Sequence, residues 1–178
     1  VKQENTVAEF SFEPTNKSFL SNNKYEFVIK RLPNLTFFVQ QINLPGITLL
    51  NPSVNNPFVL TPLPGNQLVF GQLSANFIVD ENMEAWTEIY YWITQLGNPV
   101  TKDKIGTLTK TPGKNNSITS DATLIIKTNA NNPNKKISFY DLFPVEIGEI
   151  NFTSIDSGQE FNTTSVTFGY TYYTIDDA

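Results

Sequence analysis

The stretch that decides the fold is Leu68-Val-Phe-Gly-Gln-Leu-Ser-Ala-Asn-Phe-Ile-Val-Asp80, followed by a segment ending at Gly97. Leu73, Ala75, Phe77 and Val79 alternate, the period of a half-buried strand, and Gly71 permits a bulge or bend. Beyond Asp80 the period changes. Met83, Trp86, Ile89, Tyr90, Ile93 and Leu96 recur at three-four spacing, which predicts a helix over about 82–96 with one apolar core face. Asp80 or Asn82 is placed to cap it, Glu81 and Glu84 sit at its positive end, Gly97 predicts a left-handed stop, and Pro99 prevents continuation. This is the one convincing helix in the chain.

Working towards the N-terminus, residues 44–65 hold five of the eleven prolines. Proline withholds a backbone donor, so the stretch is expected to be a loop outside any sheet interior. It nevertheless carries Ile47, Leu49, Leu50, Val54, Phe58, Val59, Leu60 and Leu63. An apolar, proline-stiffened loop loses little entropy on docking, so these eight residues are candidate contacts to neighbouring subunits. The alternative is a loop folded back over its own core. Before it, 25–31 and 35–42 are predicted as two strands joined by a hairpin turn at Leu32-Pro33-Asn34. Residues 1–22 form a polar N-terminal arm with scattered aromatics.

Towards the C-terminus, 98–120 is a polar surface loop containing Lys102, Lys104, Lys110 and Lys114, expected to face outward. Three strand regions follow. Ala122, Leu124 and Ile126 alternate; Ile137 and Phe139 open the next; and a final strand over 163–175 alternates Val166, Phe168, Tyr170 and Tyr172. A turn is expected at Asp156-Ser157-Gly158. About seven or eight strands with one flanking helix predict a mainly β protein, a β-sandwich or barrel, as a single unit over 1–178.

Composition narrows the function. The chain has 178 residues with no Cys and no His, which removes thiolate nucleophiles, Cys/His zinc sites and His-based catalysis. Asp80, Glu81, Glu84 and Glu88 are explained by capping and by the polar side of the helix. No glycine pattern cradles a phosphate and no acidic run has calcium-loop spacing. The expectation is no enzyme, no cofactor and no metal. Apolar runs are too short for a membrane span. A net charge of −5 lacks the basic footprint of a nucleic-acid gripper. Charged residues make up only 16% beside 14 Phe and 7 Tyr, a balance that suits either a surface covered by partners or an aromatic β core.

Two blocks carry a family resemblance. The first runs from Gln41-Ile-Asn-Leu-Pro-Gly46 through the proline-rich loop and the 68–79 strand to the helix with Trp86 and Trp92. The second is Ile137-Ser-Phe-Tyr-Asp-Leu-Phe-Pro144, then Ile147-Gly-Glu-Ile-Asn-Phe152, then Val166-Thr-Phe-Gly-Tyr-Thr-Tyr172. In this order they resemble the tail tube proteins of contractile-tailed bacteriophages of the T-even type. The resemblance implies a virion protein of the viral tail, assembled in the host cytoplasm. It implies homo-oligomeric, hexameric rings stacked around a channel for DNA ejection, with sheath and baseplate proteins as partners. It also implies that the loop before the long strand reaches an adjacent subunit or ring. A tube-like baseplate or initiator component present in a single ring shows the same pattern. A carbohydrate-binding β-sandwich, using surface Tyr and Trp, is the alternative of a different class.

Overall fold

The computed structural model describes residues 16–55, 57–97, 117–154 and 161–178. Seven strands build two antiparallel sheets that share one long strand. The first sheet contains β1 (Tyr25–Ile29), β8 (Ser120–Lys127), β9 (Pro133–Ile147) and β11 (Tyr172–Asp177), in the order β1-β8-β9-β11. The second is ordered β9-β10-β7-β2, with β2 (Val39–Ile42), β7 (Leu73–Ile78) and β10 (Thr163–Gly169). A mainly β architecture with one long helix is thus the architecture of this chain.

The passage of β9 from one sheet to the other has a local cause. Asp141 adopts φ 56°, a left-handed conformation that Asp tolerates better than most residues. Its carboxylate accepts hydrogen bonds from the Thr119 and Thr171 hydroxyls, each at 3.4 Å. Up to Leu142 the strand pairs with β8; from Phe143 it pairs with β10. The predicted final strand 163–175 breaks for the same corner: β10 ends at Gly169 and β11 begins at Tyr172. Gly169 sits under Phe143, whose ring would lie 2.8 Å from any added Cβ.

The core lies between the sheets. Phe27, Leu73, Ala75, Phe77, Leu124, Phe139, Val166 and Phe168 are buried, matching the inward alternation of their strands. Helix α2 (Glu84–Leu96) packs on β9. The chain reaches it through Met83 in a left-handed conformation, and Asp80 caps across that turn: its carboxylate accepts from Glu84 N–H at 2.9 Å and Ala85 N–H at 3.3 Å. Partial burial raises the Asp80 carboxyl, but the backbone donors of Glu84, Ala85, Asp80 and Asn82 outweigh it and leave the pKa below its ordinary value.

Several expectations are corrected. The predicted strand over 35–42 is instead helix α1 (Pro33–Phe38) followed by β2, and no hairpin joins it to β1. Pro33 starts that helix, where its missing N–H costs nothing. β1 pairs with β8, and β2 pairs with β7. The predicted strand 68–79 is two strands, β6 (Leu68–Phe70) and β7, separated by the bend at Gly71. Gly97 ends α2 at φ −126°, not in the left-handed region, with its N–H bonded to Ile93 O. The expected turn at 156–158, the lysines of 102–114 and residues 1–15 of the arm lie outside the described residues.

Candidate subunit interface

Residues 44–65 were expected to be a loop outside any sheet; with Leu68–Phe70 they form a β-ribbon. β3 (Ile47–Leu49) pairs with β6, and β4 (Ser53–Asn55) pairs with β5 (Leu60–Pro62). Pro45, Pro52, Pro57 and Pro64 lie outside the strands, and Pro62 sits in a two-stranded sheet, where a strand has an outward side on which no donor is needed. Pro62 faces Ser53, and the N–H of Leu63 supplies the adjoining bond to Pro52 O at 2.8 Å. The two halves meet where Leu50 N–H donates to Gln67 O at 3.0 Å. Gly65 is required there, since an added Cβ would sit 1.6 Å from Leu50 O.

Every candidate docking residue on this ribbon is exposed: Ile47, Leu49, Leu50, Val54, Phe58, Val59, Leu60 and Leu63. Phe58 at the tip shows 95% of its surface. The ribbon therefore does not fold back over its own core. Leu68 and Val69, opposite Leu49 and Thr48, add two exposed apolar residues that the sequence reading placed in a core strand. A run of this length exceeds the scattered apolar surface normal for a monomer and makes the ribbon a candidate interaction surface.

The second sheet offers a different face. Across its strands run two polar rows: Gln41, Asn76 and Ser165, then Asn43, Ser74, Thr167 and Glu146. Asn76 Nδ2 donates to Gln41 Oε1 at 3.2 Å, and Ser74 N–H donates to Asn43 Oδ1 at 2.6 Å. Two amides joined to each other, a third held on the backbone, three hydroxyls, one carboxylate and no cation in these rows make a polar surface with no positive charge to hold a phosphate.

The face of α2 differs from its predicted set. Ile89 is fully buried, and Trp86, Ile93 and Leu96 pack partly buried against the core. Met83 precedes the helix and is half-buried. Tyr90 is 45% exposed, stacked on Trp86 with ring centroids 5.5 Å apart, and is not a core residue. Ala85 and Trp92, absent from the predicted set, are fully buried. Trp92 Nε1 donates to Ile118 O at 3.2 Å, and the Arg31 guanidinium lies 4.5 Å from its ring. Arg31 also donates to Gln95 Oε1 at 2.7 Å and to Ser117 O. These bonds tie β1, α2 and the start of β8 together.

Asp80 is engaged as the helix cap, whereas Glu88 is engaged through one oxygen and its buried Oε2 has no hydrogen-bond partner among the described residues. Glu88 Oε1 accepts from Asn34 Nδ2 at 2.9 Å, linking the two helices. Burial raises its pKa, the bond from Asn34 opposes that, and Glu84 and Asp80 add repulsion; the net shift is upward. Among the described residues no group of three or more His, Cys, Asp or Glu is placed to hold a metal, and no helix is long and apolar enough to cross a membrane.

A twisted double sheet flanked by one helix, with a projecting ribbon, defines the class: a tail-tube fold. The chain matches the phage tail tube protein family over residues 4–176, and it belongs to that family. It is 26% identical over 145 residues to the tail tube terminator protein of Enterobacteria phage T4, covering 79% of this chain and 78% of that one. Its fold is similar to the tube-terminating cap of the anti-feeding prophage, with a TM-score of 0.65 and 13% identity over 97% of this chain and 100% of that one. It is also similar to a chain of the sheath-tube complex of the PVC extracellular contractile injection system, with a TM-score of 0.62 and 11% identity over 91% and 94% of the two chains. The protein is accordingly a structural tube or tube-terminator-like component of a phage tail, and so part of the virion.

Proposed function

We propose that this chain forms a ring of six like subunits that ends a contractile tail tube, with the β3–β6 ribbon docking on an adjacent subunit or ring. The observation that carries the reading is the exposed apolar ribbon. Burying each large side chain on it would contribute on the order of 1.5–3 kcal/mol before ordering costs. Phe58, Val59 and Leu60 at its tip are the principal contacts.

The two sheet edges supply the ring contact. β2 ends the second sheet on one side, and beyond Leu142 the described part of β9 has β10 on one side only. Pairing one subunit's β2 with the next subunit's 143–147 would cover both edges and remove an aggregation hazard. The polar rows through Asn76 and Thr167 then line the bore, a neutral to acidic wall past which DNA slides without phosphate contacts. Likeness to a terminator in sequence and to a terminating cap in fold favours the end of the tube over its start at the baseplate. The family match itself also accommodates a repeating tube protomer.

Removal of the protein from infected cells separates these readings by electron microscopy of the tails. Loss of a terminator leaves tubes that form but end irregularly or at uncontrolled length. Absence of any tube would identify a repeating protomer or an initiator instead.

A further inference from the structure

The ribbon joins the body at one place, where Pro45 and Gly46 enter it and Phe70 and Gly71 leave; Gly71 N–H donates to Gly46 O across the root at 2.9 Å. Two tyrosines from the corner between β10 and β11 meet this root. Tyr170 OH donates to Gly71 O at 2.8 Å, and Tyr173 OH donates to Pro45 O at 3.0 Å. One bond therefore falls on each strand of the ribbon. Between them Phe70 packs edge-on to both tyrosine rings, with centroids 6.2 Å from Tyr170 and 5.4 Å from Tyr173. The buried Phe139 supports both tyrosines from beneath at 5.2 and 5.5 Å. The corner that carries them is itself held, because Thr171 N–H donates to Tyr140 O at 3.0 Å.

The partners are 99 and 128 residues apart in sequence, so local chain geometry does not impose these bonds. A single contact would let the ribbon pivot; two contacts on opposite strands fix its direction. Leverage makes that direction matter. Eleven residues of extended chain span roughly 35 Å, so a swing of about 10° at the root would carry the tip roughly 6 Å, beyond side-chain contact distance. Burial, with the neighbouring Tyr173, pushes the Tyr170 phenol up to about 12, so its hydroxyl remains a donor throughout the neutral range.

We infer that Tyr170 and Tyr173 are positioning residues, a two-point latch that sets the angle of the ribbon before it docks. This rests on the reading that the ribbon docks on a neighbouring copy. A preset ribbon lowers the ordering cost of assembly, and each hydroxyl contributes the small net gain of one hydrogen bond.

The test is the pair Tyr170→Phe and Tyr173→Phe, singly and together, which deletes hydroxyls and keeps the rings. Hydrogen exchange is followed in the ribbon and in β8 as a body reference, alongside thermal melting and sedimentation over a concentration series. The expected result is about fivefold faster exchange at the ribbon root for each hydroxyl removed, more for the pair, from the usual worth of one bond. Exchange in β8 and the melting midpoint should hold, and the concentration needed for assembly should rise by about tenfold in the double variant. Unchanged ribbon exchange with unchanged assembly would overturn the latch. So would a fall in body melting that tracks the loss of assembly, since that is a purely structural role. Phe58→Ser with Leu60→Ser serves as the reference for docking itself. It should raise the assembly concentration with normal root exchange. If it leaves assembly unaltered, the docking reading fails, and root exchange in the tyrosine variants still decides whether the latch exists.

Discussion

Replacing Trp92 with alanine is expected to cost about 4 kcal/mol of folding stability, and replacing Trp86 about half of that. Both are tryptophans on the same helix, so the difference comes from position alone. Trp92 is 1% exposed on a helix that packs on β9, so its removal opens a cavity in the core. Large-to-small changes of this kind cost about 3–5 kcal/mol. The substitution also strands the Ile118 carbonyl, worth about 1 kcal/mol, and removes the ring under Arg31, worth about 0.5–2 kcal/mol. These contributions overlap and do not add in full, which sets the expectation near the middle of the range. Trp86 is only partly buried, its indole N–H reaches Gly148 O at 3.5 Å, and its outer face is covered by the exposed Tyr90. Urea unfolding of the two variants, followed by circular dichroism, measures both values. Equal losses, or a larger loss for Trp86→Ala, would refute the packing described for α2.

Three further outcomes follow from local geometry. Asp80→Ala should lose about 1 kcal/mol at pH 7 through the helix cap; because the folded pKa of Asp80 lies below its unfolded value, that loss should shrink as pH falls through the lowered value, measured by unfolding at pH 3–7. Glu88 has the opposite sign: its folded pKa is raised, so its relative contribution is full at low pH and is lost as pH rises through that value. Glu88→Gln should match the parent below about pH 4 and equal or exceed it at pH 7. Gly65→Ala should disrupt the ribbon while leaving the melting of the body intact, and its signature is fast hydrogen exchange confined to the ribbon strands.

Inward alternation at Leu73, Ala75 and Phe77, at Ala122 and Leu124, and at Val166 and Phe168 was legible because each strand has one buried face. The cap at Asp80 was legible from its place before the change of period. α1 was not, since a helix of six residues is too short to show a period, and Phe37 and Phe38 favour a strand reading. Pro33 was the available signal: it marks a helix start as well as a turn. On α2 the aromatic Tyr90 drew the apolar stripe away from Ala85, a small residue whose burial carries little weight in a pattern. The prolines of 44–65 correctly excluded a sheet interior, but they hid a two-stranded ribbon, which has no interior. The corner at Asp141 lies inside an apolar run, and nothing in Ile137–Pro144 distinguishes one sheet from two. The tyrosine contacts to Pro45 and Gly71 join segments about a hundred residues apart, so no local pattern could display them.

As proposed, this chain closes into a single ring that ends a tail tube. Electron microscopy of the purified protein, alone and mixed with tubes of the same phage, tests it most directly. The account predicts one-layer rings, free or seated on tube ends, and tubes that stop growing once they are capped. Chains that remain monomeric beside tube ends, or that polymerise by themselves into continuous tubes, would contradict it.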